Sequence, residues 1–358
     1  MKYKILYITF TDLSNLSSGS SVRPHRMYNA FLNLGHDVKL LEGEQNKRRI
    51  RRKKVKEIMS WLDSNKPDLC YVEPPSGPFF NSIDLRLLKK IYKMKIPIAL
   101  FYRDFYWMFP DWAWKEMPHW KRMILIKMHK RDLRTFKKCC EIVYFPSIES
   151  SEFLQDTGFK RIGVLPPGCS PVLFNKKNYP LKSIFYAGGV RYADGVEDLL
   201  IALDHINKRG MNVTLNLITH KTELVHIRDQ NLLHKEWLNI FETSGKGLIP
   251  IYENCDLGVL PKKRHFYMDV AISVKVLECM SHGLPMISTD CPAMARFIKE
   301  NKSGIICKQG SENIEKAIVE YYTNKELYLT LMNNVKLAAL NNTWEMRAEQ
   351  VISDLMDY

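Results

Sequence analysis

Lys275 and Glu278 stand three residues apart in the stretch Ser273-Val274-Lys275-Val276-Leu277-Glu278-Cys279-Met280-Ser281-His282-Gly283-Leu284-Pro285, and the short run Met286-Ile287-Ser288-Thr289 follows. The spacing predicts a helix that starts near Ser273 and stops at Gly283-x-Pro285, with a β-strand after it. Residues three apart share a helix face. A helix start also presents unpartnered backbone N–H groups and a partial positive charge. A lysine beside those groups suits a diphosphate, and a carboxylate on the same face suits the hydroxyls of a ribose. Ser273 and Val274 would line the same helix start. An ordinary i,i+3 surface ion pair is the alternative reading of the same spacing.

The stretch resembles the nucleotide-binding segment of retaining glycosyltransferases with the GT-B fold, where the pattern runs Ser/Pro-x-Lys-x-x-Glu-x-x-(small)-x-Gly-x-Pro-Val-Ile-(Ser/Ala)-Thr. That large family includes bacterial polysaccharide and glycolipid glycosyltransferases, and the resemblance covers the chain nearly end to end. It implies an α/β fold of two Rossmann-like domains facing each other across a cleft. Residues 1–168 with 342–358 would bind the acceptor and residues 169–341 the nucleotide sugar, the final helix 344–356 crossing back to the first domain. The implied reaction moves a sugar from a UDP-, GDP- or similar nucleotide sugar to a lipid-linked or cell-surface glycan acceptor, with the anomeric configuration retained. The chain has no Asp-x-Asp, the usual metal-binding signature of the other major glycosyltransferase fold. No metal or other cofactor is expected, and Lys275 with the helix start would stabilise the leaving diphosphate.

The family usually carries an arginine and a lysine just after the first strand of its second domain, in Gly-Arg-Leu-x-x-x-Lys-Gly. The aligned residues here are Gly188-Gly189-Val190…Asp194-Gly195, so both expected cations are missing. Gly189 would let the backbone approach the donor. Arg191, two residues along, would reach the diphosphate or serve a plain surface role. The glutamate that the family often has eight residues before Glu278 is Val270, with Asp269 beside it. A catalytically inactive accessory subunit of a partner transferase is the second reading of these departures.

In the first half, Phe101-Tyr102-Arg103-Asp104 follows an apolar run, where the family commonly places a polar residue near the reacting sugar. Asp104 is the candidate base for the acceptor hydroxyl, or a stabiliser of positive charge at the anomeric centre. A structural Arg103–Asp104 pair is the alternative, and Arg103 is also a candidate acceptor contact. Gly19, Ser20 and Ser21, after the first strand, would approach the diphosphate or form a simple turn. Arg23 and His25 are candidates for an acceptor phosphate or for solvated surface. Ser147, after Phe145-Pro146, would line the cleft.

Those residues need elements to position them. Lys4–Phe10, the Ser-Gly-Ser loop 17–21, the helical spacing of Val22–Leu34, Gly35-His36 and Val38–Leu41 read as the opening βαβ unit of a doubly wound sheet. Strands are expected near 68–72, 96–102, 141–145, 163–166, 183–186, 213–218, 257–260, 286–289 and 304–307. Helices are expected between them, including 46–63, 83–93, 118–140, 150–157, 196–208, 292–300, 312–323 and 325–339.

At 358 residues, 46% of them hydrophobic, the chain can build two cores. Eight cysteines with no Cys-x-x-Cys pair suit a reduced, cytoplasmic protein. The N-terminal apolar run is too short for a signal peptide and no run reaches a membrane span. Residues 1–170 hold 31 Lys+Arg and 17 Asp+Glu, whereas residues 171–358 hold 22 of each. This asymmetry predicts an anionic partner for the first half, above all the inner face of the cell membrane. Lys47–Lys56 alone carries eight basic residues, and the helix near 118–140 mixes basic with apolar side chains beside an aromatic cluster. That helix reads either as a membrane-surface element or as an ordinary amphipathic helix. Nucleic acid is not an expected partner, since no helix-turn-helix, zinc-ligand or RNA-recognition signature accompanies the charge.

Overall fold

The computed structural model describes residues 1–14, 19–155, 158–172 and 180–356. It divides into two compact units, Met1–Pro166 with Trp344–Tyr358, and Pro167–Thr343. Each unit holds a six-stranded parallel sheet.

The first sheet contains β1 (Lys4–Thr9), β2 (Asp37–Leu41), β3 (Leu69–Glu73), β4 (Ile98–Phe101), β5 (Ile142–Phe145) and β6 (Ile162–Val164), in the order β2-β1-β3-β4-β5-β6. The second contains β7 (Ser183–Ala187), β8 (Thr214–Ile218), β9 (Leu238–Phe241), β10 (Leu257–Leu260), β11 (Met286–Thr289) and β12 (Gly304–Cys307), in the order β12-β11-β10-β7-β8-β9. Strand order reverses between β1 and β3 in one sheet and between β7 and β10 in the other. Ligands of such sheets bind beyond the carboxyl ends of the strands flanking the reversal.

The inner strands of both sheets are buried on both faces, as in parallel sheets. Side chains alternate along a strand. Leu6 and Ile8 of β1 therefore join one core cluster while Ile5 and Tyr7 join another. In β7, Ile184 and Tyr186 separate from Phe185 and Ala187 in the same way. The last helix, Trp344–Met356, belongs to the first unit, where Trp344, Ala348, Val351 and Leu355 pack with Ile5, Tyr7, Met27 and Phe31. These four recur at i, i+4, i+7 and i+11, one stripe of a helix.

Some elements differ from expectation. The first helix runs Gly19–Asn33, so Gly19, Ser20 and Ser21 form its opening turn rather than a loop; Ser17 and Ser18 lie outside the described residues, as does the side chain of Ser20. The expected helix 150–157 begins instead at Ile148 and runs to Glu152, because Ser147 caps it, accepting the Ser150 N–H at 3.0 Å; Asp156 and Thr157 lie outside the described residues. Ser147 is fully buried in that role and does not line a cleft. The edge strand β9 had no sequence signal, since its residues are half-buried or exposed and its apolar pattern is weak.

The basic segment 47–56 opens the helix Arg48–Ser64, but not all of it faces solvent. Arg51 is fully buried, donating to Asp84 Oδ1 at 2.9 Å and to the Thr9 carbonyl at 2.7 Å, with its guanidinium 4.0 Å from the Phe10 ring centroid. Arg51 follows the apolar spacing of Val55, Ile58 and Leu62 and is drawn into the core with them.

Candidate functional site

The site in the second unit is built on the helix Val274–Ser281. Ser273 caps it by accepting the Lys275 N–H at 3.3 Å. Its far end closes with the Leu284 N–H on the Cys279 carbonyl at 2.9 Å and the Gly283 N–H on the Met280 carbonyl at 3.0 Å. Gly283 sits at φ +67°, a left-handed position that a residue without Cβ adopts freely. Val276, Leu277, Cys279 and Met280 face the core. Lys275 and Glu278 remain on the outer face, each about one-third exposed, with Lys275 Nζ donating to Glu278 Oε2 at 2.6 Å.

Tyr252 supports this pair from below. Its hydroxyl donates to the same Glu278 oxygen at 3.3 Å. Its ring lies between Phe185, at 4.3 Å between centroids, and His282, at 4.0 Å and nearly parallel. Burial first, then the neighbouring Cys279 and Glu278, raise the Tyr252 hydroxyl far above the usual tyrosine range, so it stays a donor. Glu278 is thus oriented from two sides while a face remains open.

The loop after β7 packs directly against the segment after β10. Gly195 is at φ +69°, and a Cβ there would fall 1.7 Å from the Pro261 carbonyl oxygen. A Cβ on Gly189 would fall 2.7 Å from Asp194 Oδ2, which accepts the Arg191 N–H at 3.0 Å. Arg191 does not turn toward Lys275. Its guanidinium pairs with Glu223 at 3.2 Å and is 67% exposed, the plain surface role. Two cations that sequence reasoning missed lie at the strand-order reversal instead. Lys262 pairs with Asp194 and Lys263 with Asp198, each lysine less than one-fifth exposed. The signal was the run Lys262-Lys263-Arg264 directly after the buried strand Leu257–Leu260 and Pro261.

In the first unit, Arg103 and Asp104 follow β4. Arg103 Nε donates to Asp104 Oδ2 at 3.0 Å, and another Arg103 nitrogen donates to Ser76 Oγ at 2.8 Å. Arg103 and Asp104 line a pocket together with Ser76, Tyr102, His129 and Asp132. Asp132 and His129 project from the inner face of the helix His119–Cys139 and were not singled out from sequence. Asp132 accepts the Phe79 N–H at 2.7 Å and pairs with Arg131, which fixes the segment after β3. His129 stacks on Trp107 at 5.3 Å and on Trp114 at 6.4 Å.

Burial pushes Asp132 up to about 6, although the Phe79 N–H and Arg131 pull the other way. Burial also pushes His129 down to about 4. The two act oppositely on stability. As pH falls from about 6, proton uptake by Asp132 favours the fold. As pH falls from about 6.5 towards 4, the unfolded chain takes a proton that buried His129 resists, which favours unfolding. In the wild type the two contributions offset. Replacing His129 with Phe removes one of them, so stability at pH 4.5 relative to pH 7 should rise by about 2–3 kcal/mol. Urea midpoints at the two pH values check this, and an unchanged pH dependence would refute it.

Two other expected acceptor contacts are placed differently. Arg23 is buried, its Nε on Glu73 Oε1 at 3.1 Å and its guanidinium 3.4 Å from the Phe101 ring centroid. Glu73 and Phe101 end β3 and β4, so Arg23 ties the first helix to the sheet instead of solvating a surface. His25 is half-buried against Asn29 of its own helix, and burial lowers its pKa.

Comparison with known proteins follows the same division. Residues 182–324, within the second unit, match the family described as Glycosyl transferases group 1. No curated protein sequence matches the chain. Among solved structures, a glycosyltransferase from Rickettsia africae superposes with a TM-score of 0.68 at 13% identity, over 99% of this chain and 98% of that one. Anabaena Alr3699/HepE in complex with UDP gives 0.66 at 13% identity over 100% of both chains. Sucrose-phosphate synthase from Thermosynechococcus elongatus gives 0.66 at 13% identity, over 98% and 97%. Residues 182–324 of the second unit thus match the Glycosyl transferases group 1 family, and the chain as a whole has the GT-B fold of these solved structures.

Proposed function

We propose that this protein is a glycosyltransferase that moves a sugar from a nucleotide diphosphate sugar to a lipid-linked or cell-surface glycan acceptor, with retention of configuration and without a metal. The observation that carries the donor half is the capped start of the helix Val274–Ser281, with Lys275 and Glu278 on its open face. Breaking the anomeric C–O bond leaves negative charge on the diphosphate. Lys275 and the helix start would stabilise that charge, and their stabilisation grows as the bond breaks. Glu278, oriented by Tyr252, would accept hydrogen bonds from the ribose. The solved complex of Alr3699/HepE with UDP makes a uridine nucleotide the first to try. The absence of any Asp-x-Asp supports the metal-free reading.

On this reading the first unit holds the acceptor at the pocket of Arg103 and Asp104. Asp104 would take the proton of the acceptor hydroxyl or stabilise charge at the anomeric carbon. The surplus of basic residues in the first half supports an anionic membrane surface as partner, at the inner face of the cell membrane. A second reading, an inactive accessory subunit, is favoured by one observation: Arg191, the nearest replacement for the missing cations, is occupied by Glu223.

Thermal stabilisation by UDP, GDP, ADP and TDP and their sugar conjugates, without metal, tests the donor site. One nucleotide series should raise the melting temperature of the wild type, and Glu278→Ala should lose most of that shift. No shift with any nucleotide would leave the accessory reading in possession. Release of nucleoside diphosphate on adding acceptor would then separate transfer from simple binding.

A further inference from the structure

The helix His119–Cys139 is packed by one face and apolar on the other. His129, Asp132, Leu133, Phe136 and Cys139 are buried. At roughly 100° per residue these five centre on one side of the helix. Trp120, Met123 and Ile124 lie on the opposite side and are 66%, 41% and 49% exposed. Trp112, just before the helix, adds a fourth large apolar side chain at 48% exposure. Single exposed apolar residues are ordinary, but Trp120, Met123 and Ile124 together on one helix face mark a surface that something covers. Along the same outer side, the stripe gives way to Lys127, Lys130, Arg134 and Lys138, all exposed. The one carboxylate of the helix, Asp132, is buried and already paired with Arg131.

We propose that this outer face docks into the interfacial layer of an anionic lipid bilayer, with Trp120, Met123 and Ile124 inserted and the four basic residues over the headgroups. The charge chooses the occupant. The face offers cations without exposed carboxylates along the helix, and tryptophan settles at the boundary between headgroups and acyl chains. A second copy of the chain would bring the same cations against themselves. The inference rests on the membrane reading above and deepens it, because it assigns insertion to this helix and not to the basic segment 47–56. It also gives that reading a purpose. The inner face of the same helix supplies His129 and Asp132 to the pocket of Arg103 and Asp104, so docking would bring a lipid-linked acceptor beside the groups that receive it.

The test is co-sedimentation with phosphatidylglycerol/phosphatidylcholine vesicles and with pure phosphatidylcholine vesicles, at low and high salt. The wild type should bind the anionic vesicles and keep a salt-resistant fraction, the signature of apolar insertion. Trp120→Ser/Ile124→Ser should weaken binding about tenfold and abolish the salt-resistant fraction, with an unchanged thermal midpoint. Lys130→Glu/Arg134→Glu/Lys138→Glu should lose the preference for anionic lipid. Wild-type failure to bind any vesicle would overturn both this proposal and the membrane reading. Binding that survives the Trp120/Ile124 double change would overturn only this proposal. So would a wild-type dimer that the double change converts to monomer, because the stripe would then be a self-interface.

Discussion

Lys275→Ala should lower kcat/KM by roughly 10²- to 10³-fold while leaving stability almost unchanged. The two halves of this expectation have different physical sources. In the absence of donor, Lys275 meets Glu278 at 2.6 Å, but both side chains are about one-third exposed. Water screens such a pair, which then contributes about 0–1 kcal/mol to the fold. Against a departing diphosphate the same ammonium faces charge that grows as the glycosidic bond breaks, and it acts beside the partial charge of the helix start. The loss should therefore fall mainly on kcat, with a smaller change in KM. Lys275→Arg should recover part of the rate, because it restores charge without the compact ammonium. Steady-state kinetics on the three proteins, with melting temperatures alongside, are sufficient. A rate for Lys275→Ala within threefold of wild type would remove Lys275 from the chemistry. A large loss of melting temperature would assign it a structural role instead.

The parts legible in the sequence are those that depend on local order. Ser273, Gly283 and Pro285 delimit a helix by capping chemistry, and the structure places that helix at Val274–Ser281. The continuous apolar runs within Lys4–Thr9 and Ser183–Ala187 mark buried parallel strands. What local order cannot supply is the partner of a charged side chain. Arg23 reads from its neighbours as an acceptor-phosphate contact or as solvated surface, yet its carboxylate partner is Glu73, fifty residues on. Arg191 looks free to replace a missing cation until Glu223 is brought beside it by the end of β8. Lys262 and Lys263 escaped notice for the converse reason, since only the strand-order reversal sets them against Asp194 and Asp198. Asp132 and His129 were hidden among eight basic residues of a helix whose inner face became evident only when packed.

Asp84→Ala should destabilise the first unit by about 3–5 kcal/mol, the largest stability effect expected from a single change here. Arg51 is 0% exposed and Asp84 3%, and they meet at 2.9 Å. Burial shifts both groups toward their neutral forms, lowering Arg51 and raising Asp84, and their mutual attraction only partly offsets it. Removing the carboxylate would leave a guanidinium in the core, held by the Thr9 and Gly43 carbonyls and the Phe10 ring but with no counter-charge. Arginine does not escape by losing its proton in the accessible pH range, so the cost appears as unfolding or as water entering the core. The double replacement Arg51→Met/Asp84→Leu removes the charge and its partner together. It should recover most of the loss, because a buried ion pair and a well-packed apolar pair are often nearly equivalent. Thr9 ends β1, beside the strand-order reversal of the first sheet. If the pair also shapes that end, the double variant will be stable yet impaired in transfer, whereas a purely structural pair would leave activity intact. Urea unfolding of the single and double variants, followed by transfer assays on the double, separates these outcomes. An Asp84→Ala protein within 1 kcal/mol of wild type would show that the buried charge finds another partner.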